Sequence, residues 1–158
     1  MDLNQDYKEI LRILNEYKVR YLIIGAYATI YYTEPRYTKD IDIWIERDLE
    51  NAANLYEALK KFGAPLRNIS KEDFMGKGTI YQIGVEPVRV DILADLSGMS
   101  FKLAWTARVK ARYDDVPVNV VGLNELIKAK EKAGRKQDEL DLEKLLLVKK
   151  GRKRTGNK

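Results

Sequence analysis

The sequence predicts an α+β domain with a small mixed sheet and helices mainly on one face, and three observations carry that prediction. Short runs of strand-favouring apolar residues are interleaved with stretches of helical periodicity. Some strand candidates lie close enough for a hairpin, whereas others are separated by a helix long enough for a crossover. The length of 158 residues suits one core.

In chain order, Leu3, Tyr7, Ile10, Leu11, Leu14 and Tyr17 recur at helical spacing with charged residues between them, which predicts an amphipathic helix over 3–17. VRYLII (19–24) reads as a strand ending at Gly25, after which AYATIYY begins a helix. DIDIWIE (40–46) alternates as a strand does, and Asp48 then offers an N-cap to a helix carrying Leu55, Tyr56, Leu59 and Phe62 and stopping at Gly63. GTIYQIG (78–84) and PVRVDILA (87–94) form an antiparallel pair around Gly84 to Pro87, and two further strands fall at 107–113 and 116–121. Two helices, over 123–134 and 137–150, are broken near Gly134. Residues 1–148 thus form one domain. The last ten, 149–158, hold six Lys or Arg and no acid, and read as a disordered basic tail. Without them the net charge of +5 becomes −1, so the charge is no footprint of nucleic acid on the domain itself.

Composition narrows the chemistry. The sequence has no cysteine and no histidine, which excludes disulfides, thiolate sites and every nucleophile–histidine mechanism. Any metal must be held by oxygen, and that favours hard ions such as Mg²⁺ or Mn²⁺. No apolar stretch is long enough to span a membrane, and the polar, acidic opening MDLNQDYKEI is unlike a secretory signal, so a cytoplasmic protein is expected.

On a strand, residues two apart share a face, so Asp40 and Asp42 project together while Ile41, Ile43 and Ile45 project to the other side. Two carboxylates held side by side repel, and a divalent cation relieves that repulsion. Asp91 stands between Val90 and Ile92 in VRVDILADL, aimed away from the core in the same way. Asp95 is its rival four residues on, and Asp91 is preferred because the strand ends near Ala94. Trp44 shares a face with Asp42 and either flanks the site or caps the sheet.

The order Gly25-Ala26, thirteen residues, Asp40-Ile41-Asp42-Ile43 and then Val90-Asp91-Ile92 resembles the signature of the DNA polymerase β-like nucleotidyltransferase superfamily. Arg36-Tyr37-Thr38-Lys39-Asp40 and LIKAKEKAGRKQDELD (126–141) are similar to segments of its small prokaryotic members, including proteins related to abortive-infection toxins. The resemblance implies that Asp40, Asp42 and Asp91 bind two Mg²⁺ or Mn²⁺ ions and carry catalysis. It also implies that Gly25, Ala26, Arg36, Lys39, Lys130, Arg135 and Asp138 lie near the nucleotide, with Asp141 supporting their helix. Ala26 departs from the family's usual Gly or Ser and offers phosphate no hydroxyl.

The expected activity is transfer of a nucleoside monophosphate from an NTP, such as ATP, to a hydroxyl of RNA (tRNA among them), a protein or a small molecule, with release of pyrophosphate. Two other readings are an inactive or regulatory nucleotide-binding module of a toxin–antitoxin-like system and a nucleic-acid-binding protein acting through the basic tail. A partner protein or a homodimer is compatible with each reading.

Overall fold

In the computed structural model the described residues are 4–84, 88–96 and 98–154, with residues 153 and 154 described as backbone only. Helix α1 (Gln5–Glu16) is followed by β1 (Tyr21–Ile24), α2 (Gly25–Tyr32), β2 (Asp40–Ile45) and α3 (Leu49–Phe62). A 3-10 turn (Lys71–Met75) leads to β3 (Ile80–Ile83) and β4 (Arg89–Leu93), and α4 (Phe101–Thr106) precedes β5 (Val109–Tyr113) and β6 (Val116–Val120). Helices α5 (Leu123–Ala133) and α6 (Lys136–Arg154) complete the chain. This is the mixed α+β class expected. Leu3, and Val85 to Pro87 of the hairpin connection, fall outside the described residues.

The helix boundaries have local causes. The Asn4 side chain accepts from the backbone N–H groups of Asp6 (2.9 Å) and Tyr7 (3.2 Å), satisfying donors that the first turn of α1 leaves open. Asp48 does the same for α3 through the Asn51 N–H at 2.7 Å, and Gly63, at φ 91°, ends that helix in the left-handed region. Asn51, fully buried, accepts from Arg20 N–H (2.7 Å) and donates to the carbonyls of Arg20 (3.0 Å) and Glu46 (2.8 Å). One side chain thereby fixes the start of β1 and the end of β2 against α3.

The six strands run in the order β3-β4-β2-β1-β6-β5. The β1–β6 and β2–β4 pairs are parallel, and the remaining pairs are antiparallel. The two antiparallel hairpins thus flank a centre in which β2 is bonded to β1 on one side and β4 on the other. Ile41, Ile43 and Ile45 have no exposed surface. Burial of each such side chain contributes about 1.5–3 kcal/mol, enough to fix which face of β2 turns inward. The opposite face carries Asp40 and Asp42.

Two elements were not anticipated, the 3-10 turn and α4. The ring of Phe101 in α4 meets Trp44 edge to face, with centroids 5.1 Å apart. Trp44 is 1% exposed, so of its two expected roles it takes the one that caps the sheet. A further difference concerns the basic run. Residues 149–154, expected as part of a disordered tail, are helical and continue α6, while 155–158 lie outside the described residues. Lys and Arg are good helix formers and their charge suits a helix C-terminus, and Arg152 stacks over the Tyr32 ring at 5.3 Å. No helix among the described residues is long and apolar enough to cross a membrane.

Candidate active site

Strand register decides the position of the third acid. In the parallel β2–β4 pair Asp42 stands opposite Asp91 and Asp40 opposite Arg89, so all four side chains leave the same face of the sheet. Asp40, Asp42 and Asp91 each bring a carboxylate oxygen within 4.8 Å of the others. Asp95 lies beyond the end of β4 and lines a separate cavity with Trp44 and Phe101.

The three acids open into a cleft of about 450 Å³. Its walls include Gly25 and Ala26 at the start of α2, Arg36 from the segment before β2, Lys130 from α5 and Arg135, Asp138 and Asp141 around the start of α6. Lys39 is not among the lining residues and is exposed. It lies in the bend just before β2.

Gly25 has φ +68°, a conformation that L side chains resist, and a Cβ there would overlap the Asp42 carboxylate oxygen. Glycine is thus required twice over, by the backbone turn and by the acid packed against it. The same turn starts α2, whose first backbone N–H groups lie at the mouth of the cleft where helix geometry favours an anion.

Electrostatics divides the site into two clusters. Burial, with the neighbouring carboxylates of Asp40 and Asp91, pushes Asp42 up to about 7, and Lys130 and Arg135 offset this only in part. The other cluster is paired. Lys130 donates to Asp138 at 3.1 Å and to Asp141 at 3.0 Å, Arg135 to Asp138 at 2.7 Å, and Arg36 to Asp141 at 3.0 Å. Asp138 and Asp141 are 2% and 1% exposed, so the Lys130 pairs are desolvated, whereas the Arg135 side chain is exposed, and the pairs hold α5, α6 and the Arg36 segment together. Arg36 Nε is buried with no hydrogen-bond partner among the described residues.

Arg89 is the site residue that sequence reasoning missed. Its Nη2 lies 2.6 Å from Asp40 Oδ2 and 3.1 Å from Asp91 Oδ2, and its Nε lies 3.0 Å from Asp91 Oδ1. Its position two residues before Asp91 was the available signal, since that spacing places both on one face of β4.

The fold recurs in solved structures of low sequence identity. The lincomycin-bound lincosamide antibiotic adenylyltransferase LnuA superposes with a TM-score of 0.62 at 13% identity, over 94% of this chain and 99% of that one. The antibiotic-resistance factor ANT(2'')-Ia superposes with a TM-score of 0.59 at 14% identity, over 96% of this chain and 92% of that one. No curated protein matches the sequence. The family model described as "Nucleotidyl transferase of unknown function (DUF2204)" matches residues 3–155, nearly the whole chain, and the protein belongs to that nucleotidyl transferase family.

Proposed function

We propose that the protein transfers a nucleoside monophosphate from an NTP to an acceptor hydroxyl, releasing pyrophosphate, with Asp40, Asp42 and Asp91 as its metal-binding and catalytic acids. The observation that carries this reading is the convergence of three carboxylates, their oxygens within 4.8 Å, beside a glycine turn that opens a helix. The donor set suits Mg²⁺ or Mn²⁺, since it consists of hard oxygens and leaves one half-buried carboxylate, Asp42, without enough positive charge to settle it. Divalent ions bound there would lower the pKa of the acceptor hydroxyl and neutralise charge developing on the phosphates.

The rest of the chemistry belongs to the chain. Backbone N–H groups at Gly25 and Ala26 would receive the triphosphate, and the small Ala26 side chain leaves room for that approach. Arg36, Lys130 and Arg135 supply positive potential along the cleft, while Asp138 and Asp141 hold them in place. Asp91, one strand away from the paired acids, would assist deprotonation of the acceptor. Lys39, which is not among the residues lining the cleft, is assigned no phosphate contact.

The acceptor is a small molecule, a protein or an RNA, and the resemblance to the lincomycin-bound LnuA structure favours testing small hydroxyl-bearing molecules first. Incubation with α-labelled NTPs, Mn²⁺ and fractions of small molecules, RNA and protein is expected to move label to one class and to release pyrophosphate. Asp91→Asn is expected to abolish transfer while the fold, followed by circular dichroism, is kept. Transfer that persists in that variant would remove Asp91 from the catalytic set.

A further inference from the structure

The four basic residues lining the cleft are not used alike. Arg36, Lys130 and Arg135 are hydrogen-bonded to Asp138 or Asp141, outside the three candidate ligands. Arg89 is hydrogen-bonded to two of the candidate ligands themselves, Asp40 and Asp91, through three bonds of 2.6–3.1 Å. Both oxygens of Asp91 are taken up by its guanidinium. The arginine therefore supplies positive charge where a divalent ion would supply it.

The two cations cannot share those oxygens in this arrangement. Mg²⁺ requires carboxylate oxygens at about 2.0–2.1 Å, and a guanidinium still bonded to the same oxygens would lie against the ion, with two like charges in a partly desolvated cleft. Arg89 can leave. Its side chain is 26% exposed, and it lines the open cleft rather than the core. That cleft is where the proposed substrate would bring a polyanionic triphosphate, the kind of partner that a planar five-donor guanidinium binds well.

We infer that Arg89 is a built-in counter-cation that occupies the carboxylate cluster, competes with divalent metal for Asp40 and Asp91, and passes to the phosphates of the nucleotide when metal binds. Metal alone then binds weakly, because it must displace an internal ion pair. Metal with nucleotide binds well, because the displaced guanidinium gains a new anionic partner. The two ligands are thereby coupled through one side chain, and each raises the affinity of the other. The inference rests on the metal-binding reading above, but adds to it a competitor drawn from the chain itself.

The sign of one measurement separates this role from a structural one. A residue that merely holds the acids in place would weaken metal binding when removed, whereas a competitor would strengthen it. Mn²⁺ is titrated calorimetrically into the full chain, with and without the non-hydrolysable analogue α,β-methylene-ATP, for wild type, Arg89→Met and Arg89→Lys. Without nucleotide, Arg89→Met is expected to bind Mn²⁺ about tenfold more tightly than wild type, with Arg89→Lys between them. The analogue is expected to raise Mn²⁺ affinity by a larger factor in wild type than in Arg89→Met. If Arg89→Met does not fold, the comparison of Arg89→Lys with wild type carries the same expectation of sign. Equal or weaker Mn²⁺ binding in the folded variants, with binding in wild type intact, would overturn the competition and leave the proposed function standing. No Mn²⁺ binding by any of the proteins, even with the analogue, would overturn both.

Discussion

Asp42→Asn is expected to abolish nucleotidyl transfer and, in buffer without divalent cations, to make the protein more stable at pH 8. The loss of transfer is expected to be at least about 10²–10³-fold, the scale on which single preorganised electrostatic groups act. The gain in stability follows from the raised pKa. Burial, Asp40 and Asp91 push Asp42 up to about 7, above the value an unfolded aspartate has. Between those two values the folded state binds more protons than the unfolded state, so this residue's contribution to stability falls as the pH rises through about 7. The neutral amide is free of that penalty. A gain of about 2–4 kcal/mol at pH 8, shrinking toward zero below about pH 4, is the expected pattern in thermal melts. A variant that is inactive and less stable than wild type at pH 8 would show that the negative charge of Asp42 is already compensated within the chain.

Lys130→Met is expected to have the largest effect on stability. Its ammonium is 8% exposed and bonded to both Asp138 and Asp141, which are themselves buried. Removing one partner of a buried ion pair leaves charge without compensation, at a typical cost of about 3–5 kcal/mol. Arg135 and Arg36 each still hold one of the acids, which places the expected cost near the lower end, about 3 kcal/mol, or a fall of roughly 6–12 °C in Tm for a chain of this size. The pH dependence runs opposite to that of Asp42. Burial raises Asp138, but hydrogen bonds from Arg135 and Lys130 overrule it and hold the carboxyl below its ordinary value. Its stabilisation is therefore present at neutral pH and is lost as the pH falls through that lowered pKa, so the variant and wild type should converge in acid. Melts at pH 7 and pH 3 test this. An unchanged Tm at pH 7 would mean that Asp138 and Asp141 are satisfied without the lysine.

The pair Asp40 and Asp42 was legible because strand alternation is local, and their placement required only that 40–46 form a strand. Asp91 follows the same parity within β4, whereas Asp95 lies beyond the end of that strand. The mixed sheet was expected, but its strand order and register were not legible. Whether β4 lies beside β2 in parallel, with Asp91 opposite Asp42, depends on contacts between segments far apart in the chain that no local pattern encodes. Helix α4 was missed because it has six residues, with Ala104 as its one buried position, and Phe101 finds its edge-to-face partner, Trp44, at long range. Arg89 was missed for a related reason. A charged residue alternating with an acid on a strand has the pattern of a solvated face, and only the neighbouring strand turns that face into a cleft.

Arg36, Lys130, Arg135 and Asp138 line one cleft, and the reason is electrostatic. Two buried acids at the start of α6 draw in the three cations, so the residues form one network before any ligand is considered. Their bearing on the nucleotide is a separate matter, and it depends on the proposed metal-binding cluster of Asp40, Asp42 and Asp91.

A crystal of the full chain grown with Mn²⁺ and α,β-methylene-ATP, with diffraction recorded near the manganese absorption edge, tests that cluster most directly. The predicted result is anomalous density at ligand distance from Asp40, Asp42 and Asp91, about 2.0–2.2 Å, with the triphosphate between those acids and the turn at Gly25. Manganese density remote from the three carboxylates, or a triphosphate bound elsewhere while they stay paired with Arg89, would contradict it.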